Sequence, residues 1–362
     1  MDAKKQQGVT ASNEEFTRYE RVTKQQRYLL AEQEGCEEFD EDYQIQTCDI
    51  GAFLHGDESD RNAFAEILGK SLEDIGFAIL TGHGIAPALY KEVARGTRKL
   101  FLEHSLEEKM HFRARRQGSV NQGYFPLRET SDIHPDLVEG WVFCRRAFDI
   151  PGASEHRAGL TLDEFWPDPE LEPLMRRLVQ ANERLIHPVM QSLLMHLECD
   201  PHLYDAKLTK TNIGLRLNYY PPLSMEDVSS GAGRLLGHED VGMFVFLPAP
   251  EIAGLQVLNR RNMKWVRLDA PRGSIILNTG DYVQRISNDV FPSTTHRVSR
   301  TRDPKLDGRE RLSFPMNVYV WENEMLEVLP GLKNPRYSPI RALEFHTQST
   351  AKFYGDDYAV TR

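Results

Sequence analysis

Cysteine is scarce in this chain. Cys36, Cys48, Cys144 and Cys199 are scattered along 362 residues with no CxxC pair. That argues against a disulfide-stapled scaffold and against a thiolate zinc site, and predicts free thiols in structural places. Long apolar runs are also missing. No window approaches the roughly 18 apolar residues needed to span a bilayer, and the opening residues MDAKKQQGVTASNEEF contain no apolar core of a secretory signal. A cytoplasmic protein with no membrane partner is the expectation. Positive charge is in deficit: 44 Lys and Arg face 54 Asp and Glu, a net charge of −10. Proteins that bind nucleic acid as their main partner present a basic face, so none is expected here. Repeats and low-complexity tracts are absent, which removes solenoid architectures.

What is present is length and enough apolar residue, 40% of the chain, for a large buried core. Residues 1–45 are polar and read as an N-terminal arm. TCDIGAFL fits a short strand and a turn. In 60–75 the residues Phe64, Ile67, Leu68 and Leu72 recur at helical spacing. GFAILTGHGI (76–85) reads as a buried strand closed by glycines, followed by helices over 87–103 and 105–112. The stretch 113–160 reads as irregular. Residues 169–200 form one long helical pattern, with a kink expected at Pro188. After residue 210 short apolar runs alternate with turns (IGLRLNYY, MFVFL, GLQVL, KWVRL, SIILN, THRVS and LSFPMNVYV), the signature of a sandwich or barrel. A helix closes the chain over 338–354. The predicted organisation is an arm (1–45), a helical region with strands (46–205), a β-rich core (206–330) and a C-terminal helix and tail (331–362). No Pro/Gly/Ser linker divides the last three, so they are expected to pack as one unit.

The chemistry concentrates in LLGHEDVGMFVF. His238 and Asp240 are two apart, which on a strand or at its end points both side chains the same way. A third ligand would complete two imidazoles and a carboxylate, the facial set that leaves three positions open on non-haem Fe(II). His296 in PSTTHRVSR is the candidate. The 55 residues between it and Asp240 hold about four short strands, enough for a curved sheet to bring it back over His238. Two open positions can take a 2-oxo acid and one can take O2. The far carboxylate of such an acid needs a grip, and RLSFPMNVYV supplies Arg311 and Ser313 on one strand face. NYYPP supplies the Tyr220 hydroxyl.

HED…H…RLS, NYYPP and GFAILTGHGI together resemble the 2-oxoglutarate/Fe(II)-dependent dioxygenases of the isopenicillin N synthase-like group, over roughly residues 45–330. The resemblance implies a mainly β fold with α: a double-stranded β-helix (jelly-roll) core with N-terminal and flanking helices. It implies Fe(II) on His238, Asp240 and His296. It implies 2-oxoglutarate held by Arg311, Ser313 and Tyr220, with Asn218 beside them, and O2 as the second co-substrate. GYF (123–125) is similar to a segment near the group's substrate pocket. The implied reaction is oxidation of a small molecule, by hydroxylation, desaturation or ring closure, with release of succinate and CO2, in an enzyme that is often a monomer. One departure stands out. Fourteen residues separate His296 from Arg311, more than is usual in the group, and TRDPKLDGRE (301–310) looks like a lengthened loop with Arg309 as a competitor for the clamp.

Each of these residues also has a plain reading. HED can be a surface turn, His296 a strand histidine, Arg311 a salt-bridge partner and Tyr220 a core tyrosine. His83 in TGHGI reads as a structural turn residue. Arg128 and the alternating Trp141, Phe143 and Arg145 of GWVFCRR are candidate substrate contacts. Three other functions remain open at this level: an iron/O2 oxidase of the isopenicillin N synthase or ethylene-forming type, a binding protein that keeps the fold without turnover, and an oxygenase acting on protein or nucleic acid.

Overall fold

The structure, a computed structural model, describes residues 38–127, 136–151, 160–230, 233–301, 303–306 and 308–354. The strands of its first half are β1 (Thr47–Asp49), β2 (Phe77–Thr81), β3 (Arg115–Gln117), β4 (Val120–Phe125) and β5 (Glu139–Cys144). The second half contributes β6 (Asn212–Tyr220), β7 (Leu235–His238), β8 (Phe244–Pro248), β9 (Leu255–Asn259), β10 (Lys264–Arg267) and β11 (Ile275–Thr279). After these come β12 (His296–Val298), β13 (Arg311–Ser313), β14 (Met316–Tyr319) and the small pair β15 (Met325–Leu326) and β16 (Ile340–Arg341).

Two sheets make the core. The larger, ten-stranded sheet runs β1-β2-β11-β8-β14-β6-β5-β4-β3, with β13 also paired to β6. The smaller runs β10-β9-β12-β7. Apolar residues of both, among them Ile79, Ile276, Leu255, Val257 and Val298, form one buried cluster. The result is the jelly roll that the family resemblance implies, one form of the sandwich or barrel that the alternating strands predict, with helices around it. Strands from the first half extend the larger sheet on both sides, so both halves of the chain share it.

Three local readings need correction. The expected irregular stretch 113–160 contains β3, β4 and β5; Gly118 and Gly123 and the short strand lengths hid their alternation. The turn expected after β1 is a short helix, Ile50–His55, because the Asp49 carboxylate accepts from Gly51 N at 2.9 Å and caps it. The long helix expected over 169–200 is two, Glu172–Glu183 and Ile186–His196. The break at Arg184 and Leu185 lies three to four residues before Pro188, whose ring meets the i−4 carbonyl, that of Arg184.

The helix Glu58–Ile75 starts with a capping box of Asp57 and Asp60. It ends at Gly76, whose φ of 74° turns the chain straight into β2. A side chain there would stand 2.6 Å from the Pro292 carbonyl as well, so both conformation and space require glycine. Phe64, Leu68 and Leu72 bury as the spacing predicts, whereas Ile67 is 46% exposed. On the outer face of β6, Tyr219 stacks on Phe101 of the helix Pro87–Leu102, at 5.8 Å between ring centroids. No helix among the described residues is long and apolar enough to cross a membrane.

Candidate active site

His238 ends β7 and His296 begins β12, and the two strands pair antiparallel with these residues directly opposite. Their ring centroids are 4.3 Å apart. Asp240 follows two residues after His238. One donor atom from each of the three lies within 4.8 Å of the others. Between Asp240 and His296 the chain builds β8 and β11 of the larger sheet, β9 and β10 of the smaller one, and the helix Asp281–Ile286.

His296 and Asp240 are held from behind. His296 Nδ1–H donates to the Thr294 carbonyl at 3.0 Å, which leaves Nε2 as the lone pair, 3.4 Å from Asp240 Oδ2. The ring edge-packs on Phe77 at 5.3 Å. Asn278 Nδ2 donates to Asp240 Oδ2 at 2.8 Å. The Asp240 carbonyl accepts from Asp281 N at 2.8 Å and from the Ser293 hydroxyl at 3.2 Å. Gly280 permits this. A methyl group there would fall 2.3 Å from the Gly242 carbonyl oxygen and 2.7 Å from that of Asp240.

Arg311 and Ser313 stand opposite Tyr220 and Asn218 across the β13–β6 ladder. Arg311 is fully buried. Its Nε donates to the Ile252 carbonyl at 3.0 Å, and its Cζ lies 4.8 Å from the Tyr220 ring centre. Burial presses its guanidinium below the ordinary value, and Tyr220 acts in the opposite direction. Nη1 is buried with no hydrogen-bond partner. Such an N–H costs about 1–3 kcal/mol unless an acceptor reaches it. Asn218 Nδ2 donates to Ser313 Oγ at 3.2 Å. Arg309, the competing arginine, is exposed, and its carbonyl accepts from Arg234. His238, Asp240, His296, Arg311, Ser313, Tyr220 and Asn218 all line one cavity of about 210 Å³.

Two imidazoles and one carboxylate suit iron with open positions, and an orphaned buried guanidinium N–H suits a carboxylate such as that of 2-oxoglutarate. The comparisons agree. Residues 212–317 match the 2OG-Fe(II) oxygenase superfamily, and residues 45–169 match the N-terminal region described as non-haem dioxygenase in morphine synthesis. The chain belongs to the 2-oxoglutarate/Fe(II)-dependent oxygenase superfamily. It is an oxidoreductase of the dioxygenase class, and its cofactor and co-substrates are Fe(II), 2-oxoglutarate and O2. Among its relatives, the 2-oxoglutarate-Fe(II) type oxidoreductase ppzC of Metarhizium rileyi is 26% identical over 312 residues, covering 80% of each chain. The 2-oxoglutarate-dependent dioxygenase citB of Monascus ruber is 29% identical over 272 residues, covering 71% of this chain and 80% of that protein. The solved structure of a 2OG-Fe(II) oxygenase family protein from Caulobacter crescentus superposes with a TM-score of 0.71 at 26% identity, over 85% of this chain and 98% of that one. A Neurospora crassa protein solved in complex with alpha-KG and thymine shares the fold at a TM-score of 0.73 and 24% identity, over 85% and 96%.

The substrate contacts expected of this oxygenase fare differently. Arg128 lies outside the described residues. Trp141 and Phe143 are fully buried in the main hydrophobic core, where Phe143 stacks on Trp166 at 3.6 Å between centroids. Arg145 pairs with Glu183 at 2.5 Å. The alternation of β5 was right and its parity was wrong: Val142 is the residue that reaches the cavity. His83 is a turn residue, accepting from Ile85 N at 3.1 Å and donating to the Gly273 carbonyl at 2.8 Å. Asn278 and Arg216 are among the cavity residues that the sequence pattern did not single out. Asn278 gave no signal. Arg216 could have been found by stepping back two places along β6 from Asn218 and Tyr220.

Proposed function

We propose that His238, Asp240 and His296 are the iron ligands, that Arg311 and Ser313 grip the far carboxylate of 2-oxoglutarate beside Tyr220, and that the rest of the cavity admits a small organic substrate. The convergence of the three donor atoms in the same cavity as the unpaired Arg311 N–H carries the reading. When bound, iron, 2-oxoglutarate and O2 supply the oxidising power, through oxidative decarboxylation to succinate and CO2, that removes a hydrogen from the substrate. The chain's own work is placement. Thr294 holds His296 with its Nε2 lone pair toward the metal position, and Asn278 fixes one oxygen of Asp240. Arg311 supplies a fixed cation whose charge needs no reorganisation in a buried site. Phe77, Leu247, Leu255 and Val298 keep that end of the cavity apolar, which strengthens each polar contact inside it.

The product reading is hydroxylation, desaturation or ring closure of that substrate. A monomer is the reading for the working unit. The Neurospora crassa structure holding thymine, and another neighbour described as a dioxygenase for auxin oxidation, support a small-molecule substrate.

Anaerobic titration of the Fe(II)-loaded protein with 2-oxoglutarate tests the assignment through the weak visible charge-transfer band of the chelate. The expected result is a band in the wild type and none for Arg311→Ala at the same concentration. Leaving one buried charge unpaired costs about 2–5 kcal/mol. His296→Ala is expected to lose iron itself. Iron binding without a band would bring forward the oxidase reading, in which 2-oxoglutarate is not the co-substrate. Iron binding unchanged in His296→Ala would dismiss the ligand set.

A further inference from the structure

Strand β6 turns Gly214, Arg216, Asn218 and Tyr220 toward the cavity, every second residue along nine. The last two lie beside the 2-oxoglutarate clamp. Arg216 lies beyond it, opposite Val142 of β5, past the end of β13. Its Nε donates to Asn218 Oδ1 at 2.8 Å, and its guanidinium carbon lies 5.3 Å from the Phe125 ring centre. Its Nη2 is buried without a hydrogen-bond partner.

Arg145 and Arg146, also partly buried, pair with Glu183 and Glu322, whereas Arg285, which has no acid, donates to the Ser338 carbonyl and stacks on Tyr337 and Phe345. Among the described residues Arg216 has no acid either. The acids that line the cavity are Asp136, Glu239 and Asp240. Glu239 accepts from the Thr295 hydroxyl and Asp240 from Asn278, and none forms an ion pair with Arg216. A guanidinium held by one amide and one aromatic face, with an N–H left over, is a poor structural element and a good anion receptor. Arg311, the other arginine lining the cavity, belongs to the co-substrate. Around Arg216 the wall is mostly apolar, formed by Val120, Phe125 and Val142.

We propose that Arg216 is the substrate anchor and that the substrate is a small carboxylic acid. Its carboxylate pairs with the Arg216 guanidinium and its apolar body rests on Phe125, Val120 and Val142. Asn218 ties this anchor to the clamp, since its carbonyl accepts from Arg216 while its amide donates to Ser313. The inference rests on the proposed iron and 2-oxoglutarate site, because it takes Arg311 as already committed.

The test uses full-length protein loaded anaerobically with Fe(II) and 2-oxoglutarate. The probes are matched pairs of acid and primary amide: phenylacetate with phenylacetamide, and hexanoate and decanoate with their amides. Binding is read from perturbation of the visible band and by calorimetry. The wild type is expected to bind at least one acid about 10-fold or more tighter than its amide. Arg216→Gln should abolish that preference, Arg216→Lys should keep part of it, and 2-oxoglutarate affinity should stay within about 2-fold in both. A wild type that binds no acid better than its amide would overturn the proposal without any variant. A loss of 2-oxoglutarate affinity in Arg216→Gln to match the loss of acid binding would overturn it too, moving Arg216 to the co-substrate. Absence of the band in the wild type is a different failure, that of the underlying site.

Discussion

Asn278 shows how much of this site depends on residues that touch no ligand. Its amide holds one Asp240 oxygen at 2.8 Å, and it comes from the larger sheet while both histidines come from the smaller one. Removing such an orienting partner typically weakens metal affinity about 10- to 100-fold. Asn278→Ala should therefore bind Fe(II), or Mn(II) as an inert substitute, with about that loss while its melting temperature without metal changes little. An unchanged metal affinity would show that Asp240 is oriented by its backbone alone. The residues most legible in the sequence were those whose chemistry has a fixed spacing: His238, Asp240, Arg311 and Ser313. Asn278 was hidden because an asparagine in ILNTGD carries no spacing that links it to a carboxylate 38 residues away.

Elements set the directions in which those residues point. The junction from β11 into the helix Asp281–Ile286 passes within contact of the chain carrying Asp240, and Gly280 makes the approach possible. Gly280→Ala should cost about 1–3 kcal/mol from overpacking and should weaken metal binding as well, because the Asp240 carbonyl is among the atoms displaced, after that of Gly242. Thermal unfolding and metal titration on one sample read both, and a loss of stability with intact metal affinity would separate the junction from the site. The C-terminal helix Ala342–Tyr354 makes a second prediction. It carries His346 into the cavity wall, buried beside Tyr282 at 3.2 Å and near Tyr319 and Arg116. Burial, with the Arg116 charge second, depresses its pKa from 6.5 to about 3. Between these values the unfolded chain takes up a proton that the folded chain refuses. The stability from a neutral His346 is thus full above about pH 6.5 and is lost as the pH falls toward 3, at up to about 1.4 kcal/mol per pH unit. His346→Gln should flatten the fall in melting temperature between about pH 6.5 and 5, and an equal slope in both proteins would rule this source out.

At the scale of the molecule, the cavity lies where the two sheets and the C-terminal helix meet, so ligands brace all three. Mn(II) with 2-oxoglutarate, without iron chemistry, should stabilise the fold by about 2.7 kcal/mol when present at about a hundred times the dissociation constant. The rise in melting temperature should disappear in His296→Ala. A rise that persists in that variant would place the metal elsewhere. Cys48 and Cys144 are buried, with burial pushing their thiols up to about 12 and about 11. They are expected to stay unreactive toward thiol reagents at about pH 8 until the protein unfolds.

Periodicity was enough for a sandwich or barrel, and motif spacing for an iron site open to a 2-oxo acid, because each follows from local rules: period-two strands, paired ligands and a clamp on one strand face; the jelly roll and 2-oxoglutarate itself were implied by the family resemblance. The run IGLRLNYY (213–220) was also legible as a strand. What the sequence could not decide was which side of a buried strand faces the cavity. In β5 both faces are apolar, since one packs on the helices and the other lines the site, so alternation carries no sign there, and Trp141 and Phe143 looked as eligible as Val142. The unpaired state of Arg216 and the grip of Asn278 on Asp240 are likewise properties of distances across sheets. Those distances exist only once separated segments have been brought together, and no local pattern encodes them.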